Sequence, residues 1–447
     1  MICFASDRVG QLNAFQRVML QWSELCPYNA VHTYKLDGPL DTTRLQEAAR
    51  EAFNFNGIGV AEIDCKYGSY RHRRDDSPVV EVIGGEGAPE SRLIAHVARE
   101  INRPFEQPVC RPFRICGIAT EGTSHYVTLT YDHWISDSIG ARLVMRHVLD
   151  RYLGLGIPEN QETLDLYPGT YAEMFADQLR GPRLAMPLLR SICGWVKNRS
   201  AWQTAYGSMR HTSVGYRLYH VQPRTVEAVR RFARENGASV NDVFLAALGR
   251  AMRCFLPRRR SRNGAGNMVM GTIVDTRADA AEDLSESLGT FLGYYVVRLT
   301  SDRMTELDRL TQLVAAKTKS IKTSRSYLDS AVNLRVSSAI WPRLRPENRA
   351  YFARRALPLT AGISNVYLRD SWLTRHGTGQ ILDYHRAVST GPSLPLVISP
   401  TTFQDQMNIG VNYRETGFSA SRVDDIMTAF TQQLEMLPSE SSLRWAA

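Results

Sequence analysis

His133 and Asp137 stand four positions apart in SHYVTLTYDHWISDSIGARLVMRHVLDRY (124–152), where an alternating pattern turns into a helical one. Tyr126, Thr128 and Thr130 fall on one face of the predicted strand, and Val127, Leu129 and Tyr131 on the other. A histidine at a strand end is held rigidly, and a strand–helix junction is a place where a cleft can form. Its imidazole, with an unperturbed pKa near neutrality, can take a proton from an attacking amine or alcohol. Ser136, Asp137 and Ser138 are helix-start residue types whose side-chain oxygens satisfy free backbone N–H groups. Behind them Ile139, Leu143, Val144, His147 and Val148 recur at helical spacing. His72 and Asp76 repeat the His-x-x-x-Asp spacing inside RHRRDD (71–76), an arginine-rich segment read as a polar loop with no strand leading in. Context therefore favours the copy at 133.

The elements that must position this junction are mixed along the whole chain. Helical periodicity is read at 42–53, 89–100, 138–153, 225–236, 239–256, 303–322 and 421–437. Strand-like runs are read at 29–36, 78–83, 112–119, 124–131, 214–221, 268–274, 294–299 and 407–413. Ser239 with Asp242, and Ser421 with Asp424, have the spacing of helix-start signals. The pattern predicts an α/β or α+β protein. A mildly basic, proline-containing stretch at 168–212 separates two halves of similar size. The expected division is an N-terminal lobe at 1–175, a connecting segment at 176–212 and a C-terminal lobe at 213–447.

Composition removes several function classes. The chain has 447 residues, 43% hydrophobic and 22% charged, which is ordinary for a globular protein and excludes extended disorder or a collagen-like repeat. Seven cysteines are scattered without a Cys-x-x-Cys pair or zinc spacing, so we expect no metal site and a reducing, cytoplasmic setting. MICFASDRVGQLN does not read as a secretory signal, and no run of about twenty apolar residues predicts a membrane span. The net charge is +9, with arginines concentrated at 71–76, 255–266 and 341–355. Without a zinc finger, RNP-type strand or basic heptad these runs read as solvated faces, not a nucleic-acid site, though such a surface would draw acidic or phosphorylated partners. There is no Gly-x-Ser-x-Gly elbow and no phosphate-binding loop, and the glycine clusters at 84–87 and 263–266 read as turns.

The stretch RPFEQPVCRPFRICGIATEGTSHYVTLTYDHWISDSIG (103–140) resembles the condensation domains of nonribosomal peptide synthetases and their relatives, the coenzyme-A-dependent acyltransferases with a His-x-x-x-Asp motif. In that superfamily the motif is His-His-x-x-x-Asp-Gly, placed after a strand that follows a Pro-Phe … Pro-Phe-Arg segment. LNAFQRVMLQW (12–22) looks like the family's opening helix, and YNAVHTYKLDGPLDTTRLQEAAREAF (28–53) like its first strand, glycine turn and next helix. SVNDVFLAALGRAM (239–252), VDTR (274–277), LGTFLGYYVVRL (288–299), ISNVYL (363–368) and SPTTFQDQMNIGVNYRETGFS (399–419) resemble later family segments, in family order. Three departures stand out. Asp132 replaces the first histidine, Ser138 replaces the motif glycine, and FNFNGIGVAEID (53–64) stands where the family has Arg-His-Glu-x-Leu-Arg.

The resemblance implies two chloramphenicol-acetyltransferase-like lobes in a V, with an active-site tunnel between them. It makes His133 the general base, Asp137 a structural residue paired with Arg277, and Ser138 a backbone donor toward an oxyanion. Asp132, Asn365 and Thr401 become substrate-tunnel candidates. The implied activity is that of a free-standing acyltransferase. It joins an acyl thioester, on a carrier protein or coenzyme A, to an amine or alcohol acceptor in natural-product assembly. The phosphopantetheine-linked donor is then a substrate, and no permanently bound cofactor is expected. The altered Asp132 and Ser138 leave a second possibility, a degenerate domain that only recruits partner enzymes.

Overall fold

The computed structural model describes residues 8–64, 68–73, 78, 80–85, 87–155, 162–166, 171–175, 179, 184–204, 213–255, 267–300, 306–368 and 380–437. The arginine run at 256–266, the glycine cluster at 263–266, Arg74 to Asp76, and much of the expected connecting segment lie outside these residues.

A five-stranded sheet organises the N-terminal lobe, in the order Ile381–Ala387, Asn29–Asp37, Ser124–Asp132, Phe113–Ala119, Val80–Ile83. Strand Ser124–Asp132 runs through its centre, antiparallel to both neighbours, with Asn29 opposite Asp132 and Phe113 opposite Tyr131. Its sequence alternates, yet it is buried on both faces from Val127 onward. Helices Thr42–Asn56 and Ser138–Leu153 pack together over one face, and Pro89–Asn102 covers the other through Leu93, Val97 and Ile101. A strand covered on both sides has no solvent face, so Thr128 and Thr130 sit inside as well. Gly38 ends strand Asn29–Asp37 at φ +84, a left-handed backbone that glycine adopts without a Cβ clash. Asp41 then caps helix Thr42–Asn56 by accepting from Arg44 N.

The second sheet belongs to the C-terminal lobe. Its order is Val214–Val221, Gln406–Arg414, Leu396–Phe403, Ala361–Ile363, Met268–Asp275, Leu292–Leu299, with Val366–Leu368 also paired to Leu396–Phe403. Helices Pro223–Glu235, Val240–Arg253, Leu307–Thr323 and Ala420–Glu435 belong to this half of the chain. Ser239 caps Val240–Arg253 in a reciprocal box with Asp242, as its spacing predicts. The last helix starts earlier than expected: Ser419, not Ser421, is its cap and accepts from Arg422 N. The basic run at 341–355 contains a helix, Pro346–Ala356, preceded by a further helix, Asp329–Ile340, that periodicity did not signal.

One strand crosses the expected boundary. Ile381–Ala387 lies far into the C-terminal half but forms the edge of the N-terminal sheet, with Tyr384 opposite Tyr34 and Arg386 opposite His32. The segment 213–447 is therefore not a self-contained lobe. Gly410, on strand Gln406–Arg414, lets the two sheets meet here, because a Cβ at that position would lie 2.0 Å from the Arg386 carbonyl oxygen. That obstacle is backbone, which cannot rotate away. Gly410→Ala is expected to destabilise the protein by about 1–3 kcal/mol, read as a lowered urea midpoint with an unchanged slope.

Candidate active site

Between the lobes lies a cavity of about 130 Å³, lined from the N-terminal sheet and its loops by Tyr28, Tyr131, His133, Ser138 and Arg386 among others, and from the C-terminal side by Thr272, Ile363, Ser364 and Val397. His133 reaches it from the end of the central strand. Its backbone N–H donates to Tyr28 O at 3.0 Å. Its ring lies 5.6 Å, centroid to centroid, from the rings of both Tyr28 and Tyr131. Nδ1 is buried, which leaves Nε2 as the ring nitrogen available to a ligand. Burial lowers the His133 pKa below the ordinary imidazole value, opposed in part by backbone carbonyl groups of the loop and by the Asp137 charge. The ring is therefore neutral at physiological pH, the form that can accept a proton.

Asp137 faces away from that ring. It caps helix Ser138–Leu153, with Oδ1 accepting from Ile139 N at 3.0 Å and Gly140 N at 2.9 Å. Arg277 grips the same carboxylate through Nη1 to Oδ2 at 2.7 Å and Nη2 to Oδ1 at 3.1 Å. Phe291 N adds a donor to Oδ2 at 2.9 Å. Burial alone would raise the Asp137 pKa, but the Arg277 guanidinium and the backbone donors outweigh it and hold the carboxyl below its ordinary value. Arg277 is itself anchored on the carbonyls of Leu284 and Ser287, with its guanidinium 4.5 Å from the Phe291 ring centre. Asp137 and Arg277 thus form a buried ion pair at the start of the helix that follows the motif loop.

The segment 288–291 clamps the motif loop from the other lobe. Asp137 N donates to Gly289 O at 2.9 Å, and Thr290 Oγ1 donates to the carbonyls of His133 and Trp134 at 3.3 and 3.2 Å. Asn13 and Gln16, reciprocal capping partners at the start of helix Ala14–Ser23, reach the same loop. Asn13 Nδ2 donates to Thr290 O at 2.8 Å, and Gln16 Nε2 to Trp134 O at 3.0 Å. Trp134 is fully buried against Tyr70, and His147 packs away from the cavity on Asn56 and Phe55. The Asn-x-x-Gln spacing of Asn13 and Gln16 is a helix-start signal not among those drawn from the sequence above, and nothing local signals which loop they hold.

Three expected tunnel residues lie elsewhere. Asp132 does not line the cavity; its carboxylate is buried behind the loop and accepts from Gln107 Nε2 at 2.9 Å. The strand ends at Asp132, and His133 opens a turn closed by Ile135 N donating to Asp132 O at 3.0 Å, so adjacency in sequence does not place both side chains on the cavity. Thr401 is buried within its strand, where its Oγ1 accepts from the wall residue Arg386, and the half-buried Asn365 is replaced on the wall by its neighbour Ser364. The other His-x-x-x-Asp copy also differs from expectation, since His72 is buried on a strand, Ser69–Arg73. Asp76 lies outside the described residues.

Behind His133 stands a group that the sequence did not reveal. His32 Nδ1 is 3.1 Å from Tyr384 Oη, and Nε2 is 3.3 Å from Tyr131 Oη and 3.4 Å from Ser138 Oγ. Burial drives the His32 pKa well below the imidazole range, and the charges of Arg386 and Arg142 push the same way. His32 is neutral and packed between two tyrosines, a structural contact and not a second base.

Burial also raises the Asp132 pKa, to about 7. An acid whose folded pKa exceeds its unfolded value binds more protons when folded, so stability falls as pH rises from the unfolded value near 4 toward 7. Asp132→Asn keeps an acceptor for Gln107 without the charge. It is expected to stabilise the protein at pH 8 by roughly 2–3 kcal/mol and to leave pH 4 stability little changed, as measured by urea titration at both pH values.

Comparison with family models and with curated proteins returns no match. Solved structures do match, along nearly the whole chain. The first condensation domain of the calcium-dependent antibiotic synthetase, bound to a substrate analogue, superposes with a TM-score of 0.70 at 15% identity, over 96% of this chain and 97% of that one. The chain has the condensation-domain fold. The starter condensation domain of rhizomide synthetase, in complex with C8-CoA and Leu-SNAC, matches at TM-score 0.66 and 14% identity, covering 96% and 94% of the two chains. An epimerization domain of tyrocidine synthetase B also shares this condensation-type fold, at TM-score 0.65 and 14% identity over 96% of each chain. The α/β, two-lobed architecture implied by the sequence is thus the one observed. Among the described residues no helix is long and apolar enough to cross a membrane.

Proposed function

We propose that this protein is a condensation-type acyltransferase. It transfers an acyl group from a phosphopantetheine thioester, carried by a carrier protein or coenzyme A, to an amine or alcohol. Natural-product assembly in the cytoplasm is the setting that fits this chemistry. The observation that carries the reading is a neutral imidazole, His133, at the wall of a cavity between two lobes, on a loop braced from both of them. His133 takes the proton as the acceptor attacks the thioester carbonyl. The tetrahedral intermediate collapses with loss of the pantetheine thiolate, which recovers a proton from the imidazolium. The backbone N–H of Ser138, at the start of a long helix, is the donor best placed on this loop to favour the transient oxyanion. Much of the rate comes from holding the two reactants together in a confined space.

The retained ion pair of Asp137 with Arg277 favours catalysis over a degenerate recruiting role, because the loop that presents His133 is held by a full set of buried hydrogen bonds. The test is to supply purified protein with acyl-coenzyme A and acyl-carrier donors in parallel, with a mixed set of amines and alcohols, and to look for amide or ester by mass spectrometry. Product from either donor supports the reading. No product from any pair, with a synthetase co-purifying, would overturn it.

A further inference from the structure

The cavity between the lobes carries one cation and no acid, for Arg386 lines it and no aspartate or glutamate does among the described residues. That guanidinium is 1% exposed. Among the described residues no carboxylate lies within ion-pair distance of it, and the groups that accept its hydrogen bonds are neutral. Nε donates to Thr401 Oγ1 at 3.2 Å, and Nη2 to Ser364 O at 2.7 Å and Pro400 O at 3.4 Å. Among the described residues Nη1 has only two hydroxyls, Ser138 Oγ at 3.3 Å and Ser364 Oγ at 3.4 Å. Hydrogen bonds from a cation to a matched anion run shorter, at about 2.7–2.9 Å. Nη1 is therefore the loosely satisfied edge, and both hydroxyls that flank it also line the cavity.

A second guanidinium converges on the same point. Arg142 Nη1 donates to Ser138 Oγ at 2.9 Å, again with no carboxylate in ion-pair range among the described residues. Two cations share one serine hydroxyl, which can neutralise neither. A buried guanidinium without a counter-charge is costly, which makes an anionic ligand the natural complement. Ser138 stands where the motif that this chain resembles has glycine, and glycine would offer no hydroxyl here.

We propose that the Nη1 edge of Arg386, flanked by the Ser138 and Ser364 hydroxyls and supported by the Arg142 charge, is a carboxylate subsite, so that the substrate carries an acid group close to the reacting centre. Only the word substrate rests on the acyl-transfer reading; the binding of a carboxylate does not. Butyrate and butyramide have nearly the same shape and differ in charge, and both can be titrated calorimetrically into the full chain. Butyrate is expected to bind about tenfold tighter or better, and Arg386→Gln to bring the two within about twofold. Equal binding of the pair by the unaltered protein overturns the proposal, as does a preserved preference in a folded Arg386→Gln. Should that variant not fold, Arg142→Gln on the half-buried helix face takes its place, expected to narrow the preference by about threefold, and an unchanged ratio counts against the subsite.

His133→Ala separates this inference from the acyl-transfer reading, because that variant should lose transfer and keep the butyrate preference. Paired substrates then assign the acid: glutaryl- against pentanoyl-N-acetylcysteamine for the donor, glycine against methylamine for the acceptor. An Arg386-dependent preference for the acidic member in one pair places the carboxylate on that partner. Turnover of both pairs without such a preference overturns its assignment to the substrate.

Discussion

His133→Ala is expected to lower kcat/KM for acyl transfer by on the order of 10²–10⁴-fold, the contribution typical of a positioned general base. The far-ultraviolet circular dichroism and the urea midpoint should stay near those of the unaltered protein. The bonds to Tyr28 and from Thr290 that clamp the loop at this residue use its backbone N–H and carbonyl, which alanine keeps. Because burial lowers the His133 pKa, the acid limb of the pH–rate profile should fall below the free imidazole value. Above that limb the ring is neutral and the rate levels. Activity retained in full by the alanine variant would end the assignment of this residue as the base.

Arg277→Met is expected to fail in the opposite way, through stability first. It leaves the Asp137 carboxylate buried, without the guanidinium fork that opposes the desolvation of its charge. Breaking one side of a buried pair typically costs about 3–5 kcal/mol. The sign of the pH response follows from the Asp137 pKa, which the native contacts hold below its ordinary value. Its contribution to stability is full above the unfolded carboxyl pKa and disappears as pH falls through the lower folded value. The unaltered protein should lose that increment in acid, whereas Arg277→Met should have lost it already at pH 7. Equilibrium urea unfolding at pH 7 and at about pH 2, well below the unfolded carboxyl value, measures both. If Arg277→Met matched the unaltered midpoint but lost transfer, the pair would be acting in the chemistry and not in the scaffold.

Much of this arrangement was legible in the residues. A strand leading into His133, a capping aspartate four residues later and a helix behind it carry local signals that survive in the structure, although that helix is buried on most of its faces and not on one stripe. Arg277 was identified through resemblance and not through spacing, since 140 positions separate it from Asp137. What stayed hidden shares a physical cause. ILDYHRA (381–387) is a buried strand that carries Asp, His and Arg, so it lacks the apolar alternation by which strands are read. Arg386 and His385 are nonetheless buried, and only the tertiary arrangement places them inside. Asp132 was misplaced for a simpler reason: adjacency to His133 in sequence suggested adjacency in the cavity, whereas the chain leaves the strand after Asp132 and turns at His133. The arginines of 341–355 look like a solvated loop by composition, and their helix emerges from packing, not from a strong apolar stripe.

The edge strand that the C-terminal half lends to the N-terminal sheet makes the two lobes one cooperative object. A fragment ending near residue 213 would leave Asn29–Asp37 as a bare sheet margin, open to pairing with another copy. A fragment starting there would carry Ile381–Ala387 with no sheet to complete. Dissection of this protein into separately expressed halves thus has to respect the order in space and not the order along the gene. A circular permutant that keeps 381–387 beside 29–37 follows the architecture, while a cut at the midpoint divides a single hydrogen-bonded ladder.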